Sequence, residues 1–189
     1  DIAKMMNTNS AISMSMYRIS NQNSMNYKEH VTKNIIFNIL ENLKSSSSYI
    51  DSVYVYFPNE KDYFFQTGEK LTSIQDSADQ QWLRDFKEHA PDEEKWIVPR
   101  SFQNYHFEKE HSAVTIYRRI RYYGGVLVVN LDQSVLSELL SSLENYPNES
   151  IFVTNSEGRM LFSNANADQL HFNEEQGIHE QLSLPLTDT

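Results

Sequence analysis

Residues 122–132, YYGGVLVVNLD, decide the fold of this chain. The glycine pair predicts a tight turn, and the apolar run after it predicts a strand with hydrophobic side chains on both faces. Such a strand lies in the middle of a sheet and is covered on both sides. Asp132 then precedes an amphipathic segment, where its carboxylate can accept the first backbone N–H groups of a helix. The first expectation is therefore a buried central strand that leads into a capped helix.

The preceding segment predicts a partner strand for this central one. In residues 113–120, aliphatic side chains alternate with Thr115, Tyr117 and Arg119, so each set faces one side of a sheet. A turn at residues 121–124 makes the two strands an antiparallel hairpin. The face with the hydroxyl, the phenol and the guanidinium has two interpretations, a solvated outer face or the wall of a pocket.

The N-terminal quarter of the chain predicts a long helix, broken near residues 21–24. Its second part has one apolar stripe, and the serines at 45–48 end it. The residues that recur at helical spacing in this stripe are Val31, Ile35, Ile36, Ile39, Leu40 and Leu43.

The remaining segments predict a mixture of strands and helices. Residues 49–66 predict a β-hairpin and residues 71–78 a loop. A capping box of Ser77 and Gln80 predicts the start of a helix through Trp82. Short extended pieces follow, at residues 96–100 and again in a hairpin over residues 150–163.

The composition excludes several classes of function. With 26 acidic and 16 basic residues, the formal net charge is −10; such a chain repels phosphate backbones, so no nucleic-acid partner is expected. There is no cysteine, which excludes disulfides and thiol chemistry. No apolar run approaches the ~18 residues that cross a bilayer. Without a start Met or a signal peptide, the chain is interpreted as a segment whose flanks are missing.

Motifs for catalysis and metal binding are missing from the sequence. The five glycines form no phosphate-binding loop, and neither a Gly-x-Ser-x-Gly nor a His-Glu-x-x-His motif occurs. His106 and His111, with Glu108 and Glu110, come nearest to a metal constellation, but their spacing is not that of a helical zinc pair. We therefore expect no enzymatic activity, no metal and no cofactor.

The order of these elements resembles the double Cache sensor regions of bacterial transmembrane receptors. The motifs that carry the resemblance are YIDSVYVY at residues 49–56, Trp82, Trp96, and GVLVVNLD at residues 125–132 with its following helix. Residues 151–163 look like the hairpin that opens a second Cache unit. The most similar regions belong to sensor histidine kinases of Gram-positive bacteria and to membrane-anchored AraC-type regulators.

The resemblance implies an α+β fold, in which a long N-terminal helix packs on a PAS-like antiparallel sheet and the start of a second, smaller Cache unit follows. The expected domains are residues 1–44 for the helix, 45–146 for the membrane-distal Cache unit and 147–189 for a partial membrane-proximal unit. Such a region lies on the extracellular face of the cell membrane, with membrane spans outside this chain, in a homodimeric receptor.

The resemblance also implies two functions. In the first, the domain binds a small polar ligand and signals to a cytoplasmic output, expected to be a histidine kinase. In the alternative, it is a ligand-free dimerisation or protein-contact module of an AraC-type or other membrane regulator. A polar cavity behind strands 113–120 and 125–131 would favour the first function, and an interior packed solid would favour the second.

One Cache subgroup binds free amino acids through an Arg-x-Trp-Tyr stretch and a later Asp. Aligning Trp82 with its Trp places Gln80 at the Arg position, and Asn130 stands at the Asp position. Neutral amides cannot hold a carboxylate and an ammonium by charge, so the expected ligand is uncharged and polar, such as a sugar. The expected ligand-binding residues are Trp82, Trp96, Arg100, Tyr117, Arg119 and Asn130.

Overall fold

The apolar run after the glycine pair is a central strand of a six-stranded antiparallel sheet. The computed structural model describes residues 6–7, 10–22, 24–68, 70–146, 149–155 and 158–164. The strands lie in the order β3-β2-β1-β6-β5-β4. They are β1 (Ile50–Tyr56), β2 (Tyr63–Gln66), β3 (Lys70–Ser73), β4 (Lys95–Phe102), β5 (His111–Ile120) and β6 (Gly125–Asp132).

Both hairpins of the sheet predicted from the sequence are confirmed. β1 pairs with β2, and β5 pairs with β6. β6 also pairs with β1, so it has a neighbour on each side. This register sets Asn130 opposite Thr115 on one neighbour and opposite Ser52 on the other. Three polar side chains are thereby placed side by side on one face of the sheet.

Two helices pack on the other face: α1 (Ser10–Asn21) and α2 (Tyr27–Ser45). The predicted break between them is confirmed, and a capping box of Asn26 and Glu29 starts the second helix. The core on this side joins the helices to alternate residues of β1, such as Val53 and Val55.

The apolar stripe predicted for α2 is partly wrong. The helix buries Ile36, Phe37 and Leu40, whereas Val31 and Ile35 are exposed. The six residues predicted as one stripe span a wide arc of the helix surface, and packing against the sheet selects only one side of that arc.

The face with Asn130 is covered by α3 (Gln81–Glu88) and the segment before it. Two predictions for this segment are wrong. The predicted loop at residues 71–78 begins with β3 and a 3₁₀ turn, because residues 70–73 find backbone partners on β2. The predicted capping box is absent: the Ser77 hydroxyl donates to the Asp79 carbonyl (2.8 Å), and the Gln80 amide donates back to the Ser77 carbonyl (3.2 Å).

The chain divides into two compact units, residues 1–133 and 134–189. After β6 come α4 (Gln133–Ser141) and a hairpin of β7 (Phe152–Thr154) with β8 (Met160–Ser163), which confirms the predicted hairpin. Most of the predicted third domain, 147–189, lies outside the described residues.

In the described part of the chain, no helix is both long and apolar enough to cross a membrane. The fold class is α+β, as predicted.

Candidate functional site

Five of the six predicted binding residues are buried between α3 and the sheet face that it covers. They fall into two groups. Arg100 and Asn130 belong to a network of polar side chains, whereas Trp82, Trp96 and Tyr117 belong to an aromatic cluster beside it. Arg119, the sixth, is half-buried and contacts the aromatic cluster.

The polar network is centred on the guanidinium of Arg100. Its two terminal nitrogens donate to the two carboxylate oxygens of Asp79, both at 2.6 Å. Nη2 also donates to Asn130 Oδ1 (2.8 Å), and Nε donates to Thr115 Oγ1 (2.7 Å). The side chains of Arg100 and Asp79 are only 2% and 1% exposed. A planar guanidinium that holds a carboxylate by two parallel bonds fixes both position and orientation.

Further hydrogen bonds close this network into a ring. Thr115 Oγ1 donates to Asn130 Oδ1 (2.8 Å), and Asn130 Nδ2 donates to Ser52 Oγ (2.9 Å). Longer contacts join Ser52 to the Tyr54 hydroxyl (3.4 Å) and that hydroxyl to Asp79 Oδ2 (3.3 Å). The network, defined here as Ser52, Tyr54, Asp79, Arg100, Thr115 and Asn130, is buried throughout.

The protonation states of the network follow from burial and charge. Burial alone would lower the pKa of Arg100, but the hydrogen bonds and the negative charge of Asp79 outweigh it, and the pKa is raised. Burial is also the main cause that raises the pKa of Tyr54, and the charge of Asp79 adds to it. Tyr54 therefore stays a neutral hydrogen-bond donor beside a charged pair.

One part of the aromatic cluster is a stack of three rings. Trp96 lies parallel to Tyr117 at 4.8 Å between ring centroids and parallel to His89 at 4.1 Å. The guanidinium of Arg119 lies 5.1 Å from the Trp96 ring and donates to the carbonyl oxygens of His89 and Ala90 at the end of α3. The cluster fixes the C-terminal end of α3 against β4 and β5.

Trp82 is fully buried in the same core. Its ring packs against Tyr54, Tyr56 and Phe64 at centroid distances of 5.6, 5.7 and 5.0 Å. Its indole Nε1 is buried and has no hydrogen-bond partner among the described residues. These contacts are those of a core residue.

An open cleft of about 180 Å³ lies next to the segment that carries Asp79. Polar side chains and an aromatic pair line it. The lining residues are Gln66, Thr72, Asp76, Ser77, Ala78, Asn104, Tyr105, His106 and Phe107.

The loop between β4 and β5 forms one wall of the cleft. Asn104 anchors it, because its Nδ2 donates to both carboxylate oxygens of Asp51 on β1 (3.3 and 3.0 Å). Beyond this anchor, the rings of Tyr105 and Phe107 stack at 5.3 Å with only 10° between their planes. Phe107 is 85% exposed and Tyr105 41%. An exposed aromatic pair beside a polar cleft is a feature of ligand-binding surfaces.

The sequence identified only part of this region. Arg100 and Asn130 were predicted as binding residues, and Thr115 was placed on a possible pocket wall, but Ser52 and Asp79 were missed. The predicted hairpin of residues 113–120 and 125–131 brings Thr115 close to Asn130, whereas Ser52 lies on a strand whose pairing with β6 was not predicted. Asp79 lies in a non-repeating segment that carries no periodic signal.

The two histidines that come nearest to a metal constellation in the sequence lie in different surroundings. His111 Nε2 lies 3.8 Å from Asp51 Oδ2 and its ring contacts Phe102, while His106 lines the cleft. Within the described ranges, no group of three or more His, Cys, Asp or Glu residues could hold a metal ion.

No protein-family model and no curated protein matches this chain.

Proposed function

We propose that this chain is the extracytoplasmic sensory region of a bacterial transmembrane receptor of the double Cache kind. In this proposal it binds a small polar ligand and passes the signal to a cytoplasmic output, with a histidine kinase as the first choice. The whole receptor works as a homodimer anchored by membrane spans outside the chain. The domain itself carries no enzymatic activity.

The single observation that carries this proposal is the open cleft beside the closed polar network. Its lining includes Ser77, whose hydroxyl donates to the carbonyl of Asp79. Asp79 in turn holds Arg100 of β4, which binds Thr115 of β5 and Asn130 of β6. A ligand in the cleft therefore contacts the segment that positions the ion pair, and the ion pair joins three strands.

This arrangement supports a signal that depends on two states of the network. A ligand shifts an equilibrium only by its difference in affinity for the two states. In the state described here, the Asp79 carboxylate fills the fork of Arg100. We propose that ligand binding moves residues 77–80 and changes this pairing, which alters the side-chain contacts that join β4, β5 and β6.

A second candidate function is the ligand-free contact module. The observation that favours it is the packing of the predicted site: Trp82, Tyr117 and Asn130 are fully buried, and Trp96 and Arg100 are less than 9% exposed. Under this proposal the network is a structural support, and the domain acts through contacts with a second copy or another protein.

A thermal-shift screen of the purified chain against sugars, amino acids and organic acids tests these proposals. A ligand at a hundred times its Kd adds about 2.7 kcal/mol to the free energy of unfolding and raises the melting temperature. The sensor proposal expects such a rise, together with ligand-induced changes in the NMR signals of the Tyr105 and Phe107 rings. A melting temperature that depends only on protein concentration would instead support the contact module.

A further inference from the structure

We infer that the cleft binds a neutral carbohydrate, with one sugar ring lying on the aromatic platform formed by Tyr105 and Phe107. This inference rests on the proposed sensory function and gives the chemical class of the ligand. It also places the ligand on residues outside the set predicted from the sequence, since none of the cleft residues belongs to that set.

The aromatic platform suits the flat face of a sugar ring. The rings of Tyr105 and Phe107 are nearly parallel, so they present an outer face and not the walls of a cage. The face of an aromatic ring is electron-rich, and the C–H bonds on one face of a pyranose are weakly positive. Phe107 is 85% exposed, so a ligand can cover its ring without displacing any part of the protein core.

The polar lining suits hydroxyl groups. Asn104 is part of this lining, and its amide nitrogen is held by the carboxylate of Asp51. Gln66, Thr72 and Asp76 add an amide, a hydroxyl and a carboxylate to the lining. The hydroxyl groups of a sugar both donate and accept hydrogen bonds, so they can pair with an amide, a hydroxyl and a carboxylate alike.

The charges of the cleft argue against an anion. Its described lining contains the carboxylate of Asp76, the imidazole of His106 and no Lys or Arg, and the whole chain has a formal net charge of −10. A carboxylate or phosphate ligand would therefore meet the repulsion of Asp76 and find no permanently charged cationic partner.

A quaternary ammonium is the competing ligand, because an aromatic face and a carboxylate can bind a cation. Recognition of that group uses aromatic rings that surround the cation. Tyr105 and Phe107 are stacked on each other with 10° between their planes, so together they offer one outer surface. This geometry favours a flat neutral ring.

The size of the cleft limits how much of the ligand is enclosed. Its volume of about 180 Å³ is below the roughly 300–1,000 Å³ of pockets that bury drug-sized ligands. One sugar ring fits it, and any further rings of an oligosaccharide extend into solvent. A free monosaccharide and the end of a longer glycan share this chemistry.

Calorimetry and saturation-transfer NMR on the full chain test the inference with neutral monosaccharides, their disaccharides, choline, glycine and acetate. We expect saturable binding of a sugar below a Kd of about 1 mM, the range of weak specific binding. Phe107→Ala should weaken it about tenfold, the scale of one lost aromatic contact. Phe107→Tyr should restore it, and comparison of each monosaccharide with its disaccharide identifies the source.

Two matched controls accompany these variants. Tyr27→Ala removes another aromatic side chain that is also 85% exposed, away from the cleft, and should leave sugar binding unchanged. Asp76→Asn keeps the hydrogen-bonding shape but removes the charge, so it should weaken a cation far more than a neutral sugar. Circular dichroism checks that each variant is folded.

Three results would overturn the inference, and they differ in what else they affect. Sugar binding that survives Phe107→Ala places the sugar elsewhere and leaves the sensory function standing. If choline binds and this binding is lost in Asp76→Asn, the ligand is a cation and not a carbohydrate, and the sensory function still stands. No binding by any compound of the panel overturns the carbohydrate inference and the small-molecule sensory function together.

Discussion

At the scale of single residues, the stability of the molecule depends on whether the buried guanidinium of Arg100 finds hydrogen-bond acceptors. A guanidinium has five N–H donors and no acceptor, so its burial requires several acceptors in one place. Asp79, Thr115 and Asn130 supply them. Taking two charges out of water is costly, and good geometry with added hydrogen bonds is what offsets that cost.

Breaking this ion pair should therefore destabilise the protein strongly. Arg100→Met leaves the Asp79 carboxylate buried without its partner, and we expect the free energy of unfolding to fall by about 3–5 kcal/mol. Urea denaturation measures the change. Asp79→Leu combined with Arg100→Met removes both charges and should restore most of the loss.

The control for this prediction is the exposed ion pair of Arg121 and Glu94, which has its closest atoms at 2.8 Å. Glu94→Gln should change the free energy of unfolding by less than about 1 kcal/mol, because exposed pairs are screened by water and salt. A similar small loss for Arg100→Met would show that the network is not a structural support.

The buried tyrosines lead us to predict how the protein ionises and unfolds at alkaline pH. Burial is the main cause that raises the pKa of Tyr54, Tyr56 and Tyr117 above that of a free phenol. Their contribution to stability is therefore fully present below the unfolded pKa of about 10 and is lost as the pH rises through the folded pKa. We expect these phenols to ionise late, in one cooperative step with unfolding.

Phenolate absorbance recorded together with circular dichroism during an alkaline titration tests this expectation. Tyr117→Phe should remove one phenolate from the late step. Ionisation of every tyrosine near pH 10 while the circular dichroism stays native would contradict it.

At the scale of secondary structure, some features of an element depend on its local sequence and others depend on contacts with distant residues. α2 starts at a capping box, in which Glu29 N donates to Asn26 Oδ1 (3.0 Å) and Asn26 N donates to Glu29 Oε2 (2.8 Å). β6 starts at Gly125, where the chain passes close to Phe57. The first feature is visible in the sequence, whereas the second depends on a distant residue.

Removal of the helix cap should cost a moderate amount of stability. Asn26→Ala leaves a backbone N–H of the first turn without its acceptor, and we expect a loss of about 1 kcal/mol. Thermal unfolding measures it. Asn34→Ala, at an exposed position inside the same helix, is the matched control and should be neutral or slightly stabilising, because alanine is the better helix former. Equal effects at both positions would contradict the capping role.

The same box has a pH dependence. The hydrogen bond from the Asn26 backbone is the largest cause that lowers the pKa of Glu29. Because the folded pKa is below the unfolded one, the contribution of Glu29 is present above the unfolded pKa and is lost as the pH falls through the folded pKa.

A side chain at Gly125 should be poorly tolerated. An added Cβ would lie 2.5 Å from Phe57 Cδ1 and 2.8 Å from the backbone oxygen of Tyr56. We expect Gly125→Ala to reduce the free energy of unfolding by about 1–3 kcal/mol through overpacking, measured by urea denaturation. Gly68→Asn is the control: Gly68 has φ of +88° with no atom near an added Cβ, and Asn tolerates positive φ. A larger loss at Gly68 would refute the explanation.

At the scale of the whole molecule, one strand pair joins the two halves of the sheet. β1 to β3 come from residues 50–73 and β4 to β6 from residues 95–132. The pairing of β1 with β6 connects them, and the network crosses the same junction through Ser52 and Asn130. The sheet therefore folds as one body only when residues far apart in sequence meet.

This organisation predicts that the first unit folds by itself. A fragment that ends at Gln133 keeps all six strands, both cores and the network. We expect it to unfold cooperatively and to retain slow hydrogen exchange in β6. A fragment that ends at Ile120 is the control, since it lacks β6 and should not fold. Failure of the longer fragment to unfold cooperatively would show that the sheet needs residues beyond 133.

The sequence by itself determined the elements whose signal is local. The glycine pair and the apolar run predicted β6. The alternation of apolar and polar residues predicted β5, and the helical spacing of apolar residues predicted α2. These signals are reliable because hydrophobic periodicity reflects burial of one face or both. Arg100 and Asn130 were also selected as candidate binding residues, but through the resemblance to Cache regions and not through a local pattern. Their hydrogen-bond partners were not part of that expectation.

Only the tertiary structure decided what those partners are. Asp79 lies 21 residues before Arg100 in the chain, in a segment without periodicity, and the fold brings its carboxylate into the guanidinium fork. Contact with the sheet likewise selected the buried side of α2 and turned residues 70–73 into β3. Local patterns record which residues prefer burial, but the pairing of buried groups depends on distances that only the folded chain sets.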